Sequence, residues 1–238
     1  MTRRLLLAIA IVAIATATAA GWTSASSPSL PVVHPADFVG AVTNPWLPFT
    51  PGTTKKFKGV IGGQSTIVVT TVTNKTKVIL GVRTTVVSDR VYTAGKLSER
   101  TTDWYAQDKS GNVWYFGEAT AELDSTGHIT STEGSWQAGV GGAKAGIVMP
   151  GSPRPGQSFR QEYLRGHAED QFTILSLDAT VHAPYVSVTD KAILTKEWTR
   201  LEPSVIEDKY YVRGVGEVKS VSVKGPHEVM SLVSVTPH

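Results

Sequence analysis

The sequence predicts an all-β protein: one large, curved antiparallel meander, a half-barrel or a closed barrel, behind an N-terminal signal helix. Three observations predict it. From Thr53 onward the chain is a succession of runs rich in Val, Ile, Thr, Tyr and Trp. Turn residues interrupt those runs at about every eight to twelve positions, the spacing of an all-β domain. No window of about 12 or more residues carries an apolar period of 3.6, so a long helix is not expected after the signal. The connections are short, and short connections join antiparallel neighbours, because parallel pairing needs a crossover of about a dozen residues. A sheet of about ten or more strands curls or splits, which makes strong curvature the expected outcome.

Taken in order, residues 1–26 read as a signal peptide. Arg3 and Arg4 form a positive start, and Leu5 to Ala20 is a run of 16 uncharged Leu, Ile, Val, Ala and Thr residues. Small residues follow, with Ala17-Thr18-Ala19 the best cleavage site. The run falls short of the roughly 20 residues of a spanning helix, so no stable membrane span is expected in the mature protein. The chain has no Cys and therefore no thiol for lipid attachment. A secreted or extracytoplasmic location, in the cell envelope, is the expectation.

Residues 27–52 form a Pro-rich strap. Pro45, Pro48 and Pro51 forbid regular helix or central strand there. The interleaved Trp46, Leu47 and Phe49 are too apolar for a free linker and are expected to plug one end of the core. Residues 53–238 form a single antiparallel β domain. Its strands are expected at Thr53–Val60, Ser65–Thr73, Lys77–Leu80, Thr84–Tyr92, Leu97–Ala106 and Asn112–Gly117. Later ones fall at Ser158–Leu164, Gln171–Leu177, Lys191–Thr199, Ile206–Val212, Glu217–Lys224 and Glu228–Val235. Short helical turns fit only near Pro35–Phe38 and Asp178–His182. In Glu217–Lys224, Val218 lies out of phase with Val221 and Val223. That predicts a β-bulge near Lys219-Ser220, the alternative being a strand covered on both faces. The Gly- and Pro-rich segment Gly134–Gly156 carries Trp136, Ile147 and Met149, which argue for packing across a sheet.

Composition closes off several functions. Without Cys there is no thiol chemistry, cysteinyl zinc or iron–sulfur cluster. Removing Arg3 and Arg4 from the 23 basic residues leaves 21 against 20 acidic ones. No like-charge block appears, and nucleic-acid binding, which needs a clustered basic face, is not expected. No Gly-x-Ser-x-Gly elbow, His-Glu-x-x-His, phosphate loop or dinucleotide fingerprint is present. No cofactor is expected.

Three clusters carry the remaining chemistry. The densest aromatic segment is Asp103–Glu118, where a hairpin brings Trp104 and Tyr105 opposite Trp114 and Tyr115. Large rings then occupy both faces of the sheet, one set meeting the core and the other a strap, lid or ligand. The second cluster runs from Arg160 to Asp170. Its Glu162, His167, Glu169 and Asp170 are of the types that ligate a cation or act as acid and base. The stretch Leu164–His167 reads equally well as a solvated turn. In the third, Glu197 and Lys209 are placed to pair across neighbouring strands as an exposed contact of small effect. A Glu197 or Glu202 turned into a cavity beside tyrosines would instead become a weaker acid.

Several segments resemble a family of uncharacterised secreted or lipid-anchored proteins common in actinobacteria. The landmarks are Asn44-Pro45-Trp46-Leu47-Pro48-Phe49-Thr50-Pro51-Gly52-Thr53, the Asp103–Gly117 hairpin and Gly146-Ile147-Val148-Met149-Pro150. They continue with Arg160-Gln161-Glu162-Tyr163, Ala168-Glu169-Asp170, Lys196-Glu197-Trp198-Thr199 and Tyr210-Tyr211-Val212-Arg213-Gly214-Val215-Gly216. The last of these is also similar to the final strands of periplasmic half-barrels related to lipoprotein carriers, which implies a curved sheet with a concave apolar face. The function expected is a non-enzymatic exported protein that binds a lipid, a small apolar or amphipathic ligand, or an envelope component. Trp104, Tyr105, Trp114, Phe116, Trp136 and Met149 would line that site. The alternative is a secreted hydrolase or metal-assisted enzyme built on Glu162, His167, Glu169 and Asp170.

Overall fold

The computed structural model describes Leu30 and residues 32–237. The signal expected over residues 1–26 lies outside the described residues. A 3-10 turn at Pro35–Asp37 precedes β1 (Phe38–Val39). A run of hairpins follows: β2 (Thr54–Ile61), β3 (Gln64–Ile79), β4 (Val82–Thr93), β5 (Lys96–Asp108) and β6 (Val113–Leu123). Short strands come next: β7 (Ile129–Ser131), β8 (Trp136–Gln137), β9 (Lys144–Met149), β10 (Ser158–Arg160) and β11 (Glu162–Tyr163). A second run of hairpins ends the chain: β12 (Asp170–His182), β13 (Ser187–Thr199), β14 (Ile206–Val212), β15 (Gly216–Lys224) and β16 (Glu228–Thr236). Among the described residues there is no α-helix, and no helix long and apolar enough to cross a membrane.

The strands form one antiparallel sheet in the order β10-β12-β13-β14-β15-β16-β2-β3-β4-β5-β6-β9-β11. The last strand, β16, pairs with the first long one, β2, with Leu232 opposite Phe57 and Glu228 opposite Ile61. That pairing curls the sheet into a barrel with one unsealed seam, between β9 and β12. The segment from Ser158 to Tyr163 spans it: its first half pairs with β12 and its second with β9. Backbones come close here. A Cβ on Gly146 of β9 would lie 2.3 Å from the carbonyl oxygen of Arg160. Gly146→Ala should therefore destabilise the fold by about 1–3 kcal/mol, the usual cost of overpacking, read as a lowered midpoint of urea unfolding.

The two-residue turns of the first three hairpins explain its tight meander. Gly62-Gly63, Leu80-Gly81 and Ala94-Gly95 all have positive φ at both positions, the type I′ geometry that matches strand twist. For Leu80, at φ 50°, the left-handed backbone costs roughly 1–2 kcal/mol that Asn or Gly would largely avoid.

Three sequence expectations are corrected. Lys77–Leu80 is not a separate strand but the end of β3, whose 16 residues run through the polar stretch Thr73–Thr76. Asp178–His182 is extended and belongs to β12. The segment Gly134–Gly156 does not lie across the sheet; it extends it, because β8 and β9 pair with β6. The bulge in β15 is present. Its extra residue is Val218, since Tyr210 faces Lys219 while Tyr211 faces Glu217. A second bulge puts Phe116 of β6 out of register between Tyr115, opposite Tyr105, and Gly117, opposite Trp104.

Two apolar clusters fill the molecule. One gathers Leu47 and Phe49 of the strap with Val72, Val87, Tyr105, Tyr115, Trp136 and Met149. The Phe49 ring sits 4.6 Å from that of Tyr105, which stacks at 4.8 Å on Tyr115. Asn44 pins the strap: its side-chain amide donates to the carbonyls of Gly111 and Pro150, and its backbone N–H donates to the Gln107 side chain. The other cluster is built on Phe57, Ile61, Val68, Val91, Met230 and Leu232.

Candidate functional site

Strand alternation turns an unusual set of charged side chains inward. On β4 the phase of Val87 and Val91 contains Asp89; on β5 the phase of Thr101 and Tyr105 contains Asp103; on β14 the phase of Tyr211 contains Glu207 and Lys209. Glu118, Glu162, Asp170, Glu197, Glu217 and Lys55 are buried as well, none more than 8% exposed. Glu99, Asp108, Glu202 and Glu228 are buried too, so among the described residues twelve carboxyl groups are buried with only two lysines, Lys55 and Lys209.

Glu197 is the hub. Its Oε2 lies 2.8 Å from Lys209 Nζ and accepts a hydrogen bond from Gln161 Nε2 at 3.0 Å. Its Oε1 accepts from the hydroxyls of Thr195 and Tyr211, both at 3.2 Å. Lys209 also reaches Glu207 Oε2 at 3.6 Å. Burial pulls the Lys209 ammonium down, but Glu197, Glu207 and Glu217 together outweigh it and hold it well above the usual range. Lys55, with Val215 O as acceptor at 2.6 Å, goes the other way. Burial brings it down to about 8 against the opposing pull of Glu217 and Asp89.

The other acids are weak because they are dry. Burial raises Glu217 to about 8 and Glu207 to about 7, in both cases against the pull of Lys209. Burial raises Asp89 to about 6 despite the hydrogen bond from Thr70. Burial also pushes Asp103, Glu118 and Asp170 well above the carboxylate range, with neighbouring acids adding to each. Asp103 accepts from Tyr115 Oη at 2.6 Å. Asp89 and Asp103 are close enough to influence each other, Asp89 adding to the rise at Asp103. The interior thus gathers carboxyl groups weakened as acids by burial around the Lys209–Glu197 pair. Among the described residues no group of three or more His, Asp and Glu side chains is arranged to hold a metal ion.

The sequence-predicted acid site divides. Glu162 and Asp170 are inside, 1% and 5% exposed, and close enough that Glu162 raises Asp170. His167 is exposed, in the turn closed by the Leu164–Ala168 bridge, where Glu169 accepts from the backbone N–H of Gly166 at 2.9 Å. The four do not converge. The aromatic set divides too. Tyr105 points inward with Tyr115, and Trp136 packs edge-on to Tyr115 at 5.3 Å. Trp104, next to Tyr105 in the strand, points outward under Lys77, whose Nζ is 3.4 Å from the ring centre. Phe38, in the leader (residues 32–40 of the strap), covers Trp114 and Phe116 edge-on at 5.4 and 5.5 Å. Met149 is fully buried, and none of the six exceeds 7% exposure. These rings are packing, shared between two faces, rather than one open platform.

Open space lies elsewhere. A groove of about 310 Å³ runs between the leader and β9, lined by Leu30, Val32, Val33, Leu80, Gly139, Ala143, Lys144 and Ala145. A polar pocket of about 270 Å³ opens beside Gln64, Val91, Ser98, Glu99 and Glu122. Beside the buried charges there is room for about one water at a time. One space of about 20 Å³ touches Asp170, Gln171, Glu197 and Glu202. Another of the same size touches Lys55, Thr70 and Glu217, with Leu47 and Phe49 from one cluster and Phe57 and Val68 from the other.

The sequence reading missed most of the interior acids and the groove. Most of the acids had a signal: Asp89, Asp103, Glu118, Asp170, Glu197 and Glu207 each occupy the phase of a buried residue two places away in the same strand. The groove had one in Leu80, a large apolar side chain at a turn position that favours Asn or Gly.

No family profile matches the chain, and no curated protein matches it. Two solved structures are similar in outline. One, from Bacteroides fragilis, is named as an exported protein with a YmcC-like fold; it is 14% identical, with a TM-score of 0.45, over 80% of this chain and 98% of that one. The other, from Parabacteroides distasonis, is named as a lipoprotein; it is 9% identical, with a TM-score of 0.42, over the same shares of the two chains.

Proposed function

We propose that the protein acts outside the cytoplasm as a non-enzymatic binding barrel that holds the apolar part of an amphipathic envelope molecule in the groove beside Leu80. The observation that carries this reading is the groove itself, open and walled mainly by Val, Leu, Ala and Gly side chains, with Lys144 at its edge. Its volume suits a small ligand or a segment of an acyl chain, and Lys144 is placed to meet an acidic head group. The interior supports the same reading by contrast, since its free spaces are water-sized. Export rests on the charge and apolar pattern of residues 1–26.

Displacement of a dansylated fatty acid tests the proposal. Leu80→Asp places a charge in the groove at a half-exposed position, and it should weaken binding by at least about tenfold, the cost of setting an unpaired charge against an apolar group, with little change in thermal stability. Equal affinity in the variant and the parent would refute the groove as the site. Native mass spectrometry of the exported protein should show a co-purified amphiphile that the variant lacks.

A further inference from the structure

We infer that the β3–β4 hairpin tip, the leader and the loop before β9 together form a docking surface for an anionic lipid bilayer. This goes beyond ligand binding in the groove, because Lys75, Val78, Arg83 and Val140, on which it also rests, are not among the residues that line the groove. Leu80 sits half-exposed at a left-handed turn position. The other two turns of this kind carry Gly62-Gly63 and Ala94-Gly95, with no bulky side chain. Backbone strain kept for the sake of an outward-facing leucine points to contact with something outside the molecule.

Its surroundings say what. Val32 (72% exposed), Val78 (68%) and Val140 (59%) project from the same three segments. With Leu80 they make up four of the ten large apolar side chains most exposed among the described residues. Leu80, Val32 and Gly139 share the groove, so the segments meet at one place. The charges there are of one sign. Residues 73–83 and 137–145 carry Lys75, Lys77, Arg83 and Lys144 and no acid; on the leader, Asp37 is the one carboxylate between residues 32 and 40. Arg83 faces Val78 directly across the hairpin, so an apolar and a cationic side chain stand side by side. Apolar tips ringed by cations suit an interface where tails meet phosphates.

Co-sedimentation of the full chain with vesicles tests the inference. Phosphatidylcholine mixed with phosphatidylglycerol is compared with phosphatidylcholine alone, with the same N-terminus in every variant. The chain should bind the mixed vesicles more tightly, and added salt should release it. Lys75→Glu and Arg83→Glu should each weaken binding by at least roughly fivefold, since each removes one cation near a charged surface and adds an anion, while fatty-acid displacement stays unchanged. Val78→Ser should weaken binding as well. Leu80→Asn should weaken it while leaving thermal stability equal or higher, since Asn suits the turn. Binding that is the same for both vesicle types, or unaltered by the two charge reversals, would overturn the inference. So would self-association of the parent that Leu80→Asn abolishes without any change in vesicle binding. A groove that fails the fatty-acid test with vesicle binding intact would sink only the proposed ligand site.

Discussion

Lys209→Ala will destabilise the barrel by about 3–5 kcal/mol, the cost of breaking a buried ion pair from one side. Lys209 is 3% exposed and has Glu197 at 2.8 Å and Glu207 at 3.6 Å. Without it, Glu197 still holds its hydrogen bonds from Gln161, Thr195 and Tyr211 but loses the Lys209 ammonium. The carboxylate must then remain charged in a dry interior or take up a proton and surrender part of its network; both are costly. The double variant Lys209→Met with Glu197→Gln removes both charges and keeps similar volumes, so it should recover most of the loss. Urea unfolding of the parent, the single and the double variants reads this directly. A single variant within about 1 kcal/mol of the parent would mean that the pair is solvated and behaves as a surface contact.

That pair shows how far the sequence was legible. Positions 197 and 209 were readable as cross-strand partners, because the spacing of two short antiparallel strands brings them near each other; the register sets Glu197 opposite Glu207 and Thr195 opposite Lys209. Burial was not readable in the same way. An alternating strand with charges on one face normally shows that face to water, and the meander's closure through β16 and β2 reverses the assignment by making that face the inside. Local pattern cannot report closure, because the two strands that close the barrel lie some 170 positions apart in the chain. The same limit divided the aromatic hairpin. Trp104 and Tyr105 were expected on opposite faces, and they are; Trp114 and Phe116 lie together under Phe38, and the bulge at Phe116 shifts the phase beyond it, so that Glu118, three places from Tyr115, is buried as Tyr115 is. Glu162 and Asp170 were singled out as acids, and the fold brings them together inside. His167 and Glu169 belong to the turn between them, which the sequence also allowed. The all-β class, the antiparallel order and most strand positions needed only periodicity and turn residues, and these are the features the structure shows.

A barrel whose interior holds protons should be most stable in mild acid. For a carboxyl group whose pKa is higher in the folded than in the unfolded chain, the folded state binds the extra proton. Its contribution is intact below the unfolded value near 4 and is lost as pH rises through the folded value. Glu217, raised to about 8, Glu207, to about 7, and Asp89, to about 6, set a window from about pH 4.5 to pH 8. Asp103, Glu118 and Asp170 are displaced in the same direction. Each such group contributes a slope of about 1.4 kcal/mol per pH unit while it lies between its two values. Because the groups share protons, the total is smaller than their sum. Lys55 opposes the trend only on the alkaline side: lowered to about 8, it returns stability between there and the ordinary lysine range, so the curve should flatten above pH 8. The melting temperature at pH 5 should exceed that at pH 8 by at least about 5 °C, given that each kcal/mol shifts a chain of this size by about 2–4 °C. Glu118→Gln supplies the control. It keeps the shape of a side chain that is 3% exposed and removes one titrating proton, so the stability it lends at pH 5 should be largely retained at pH 8 and the slope should shrink. A flat profile in the parent, or one that rises toward pH 8, would mean that these carboxyls are ionised and hydrated in the folded protein, and the dry, protonated interior would have to be abandoned.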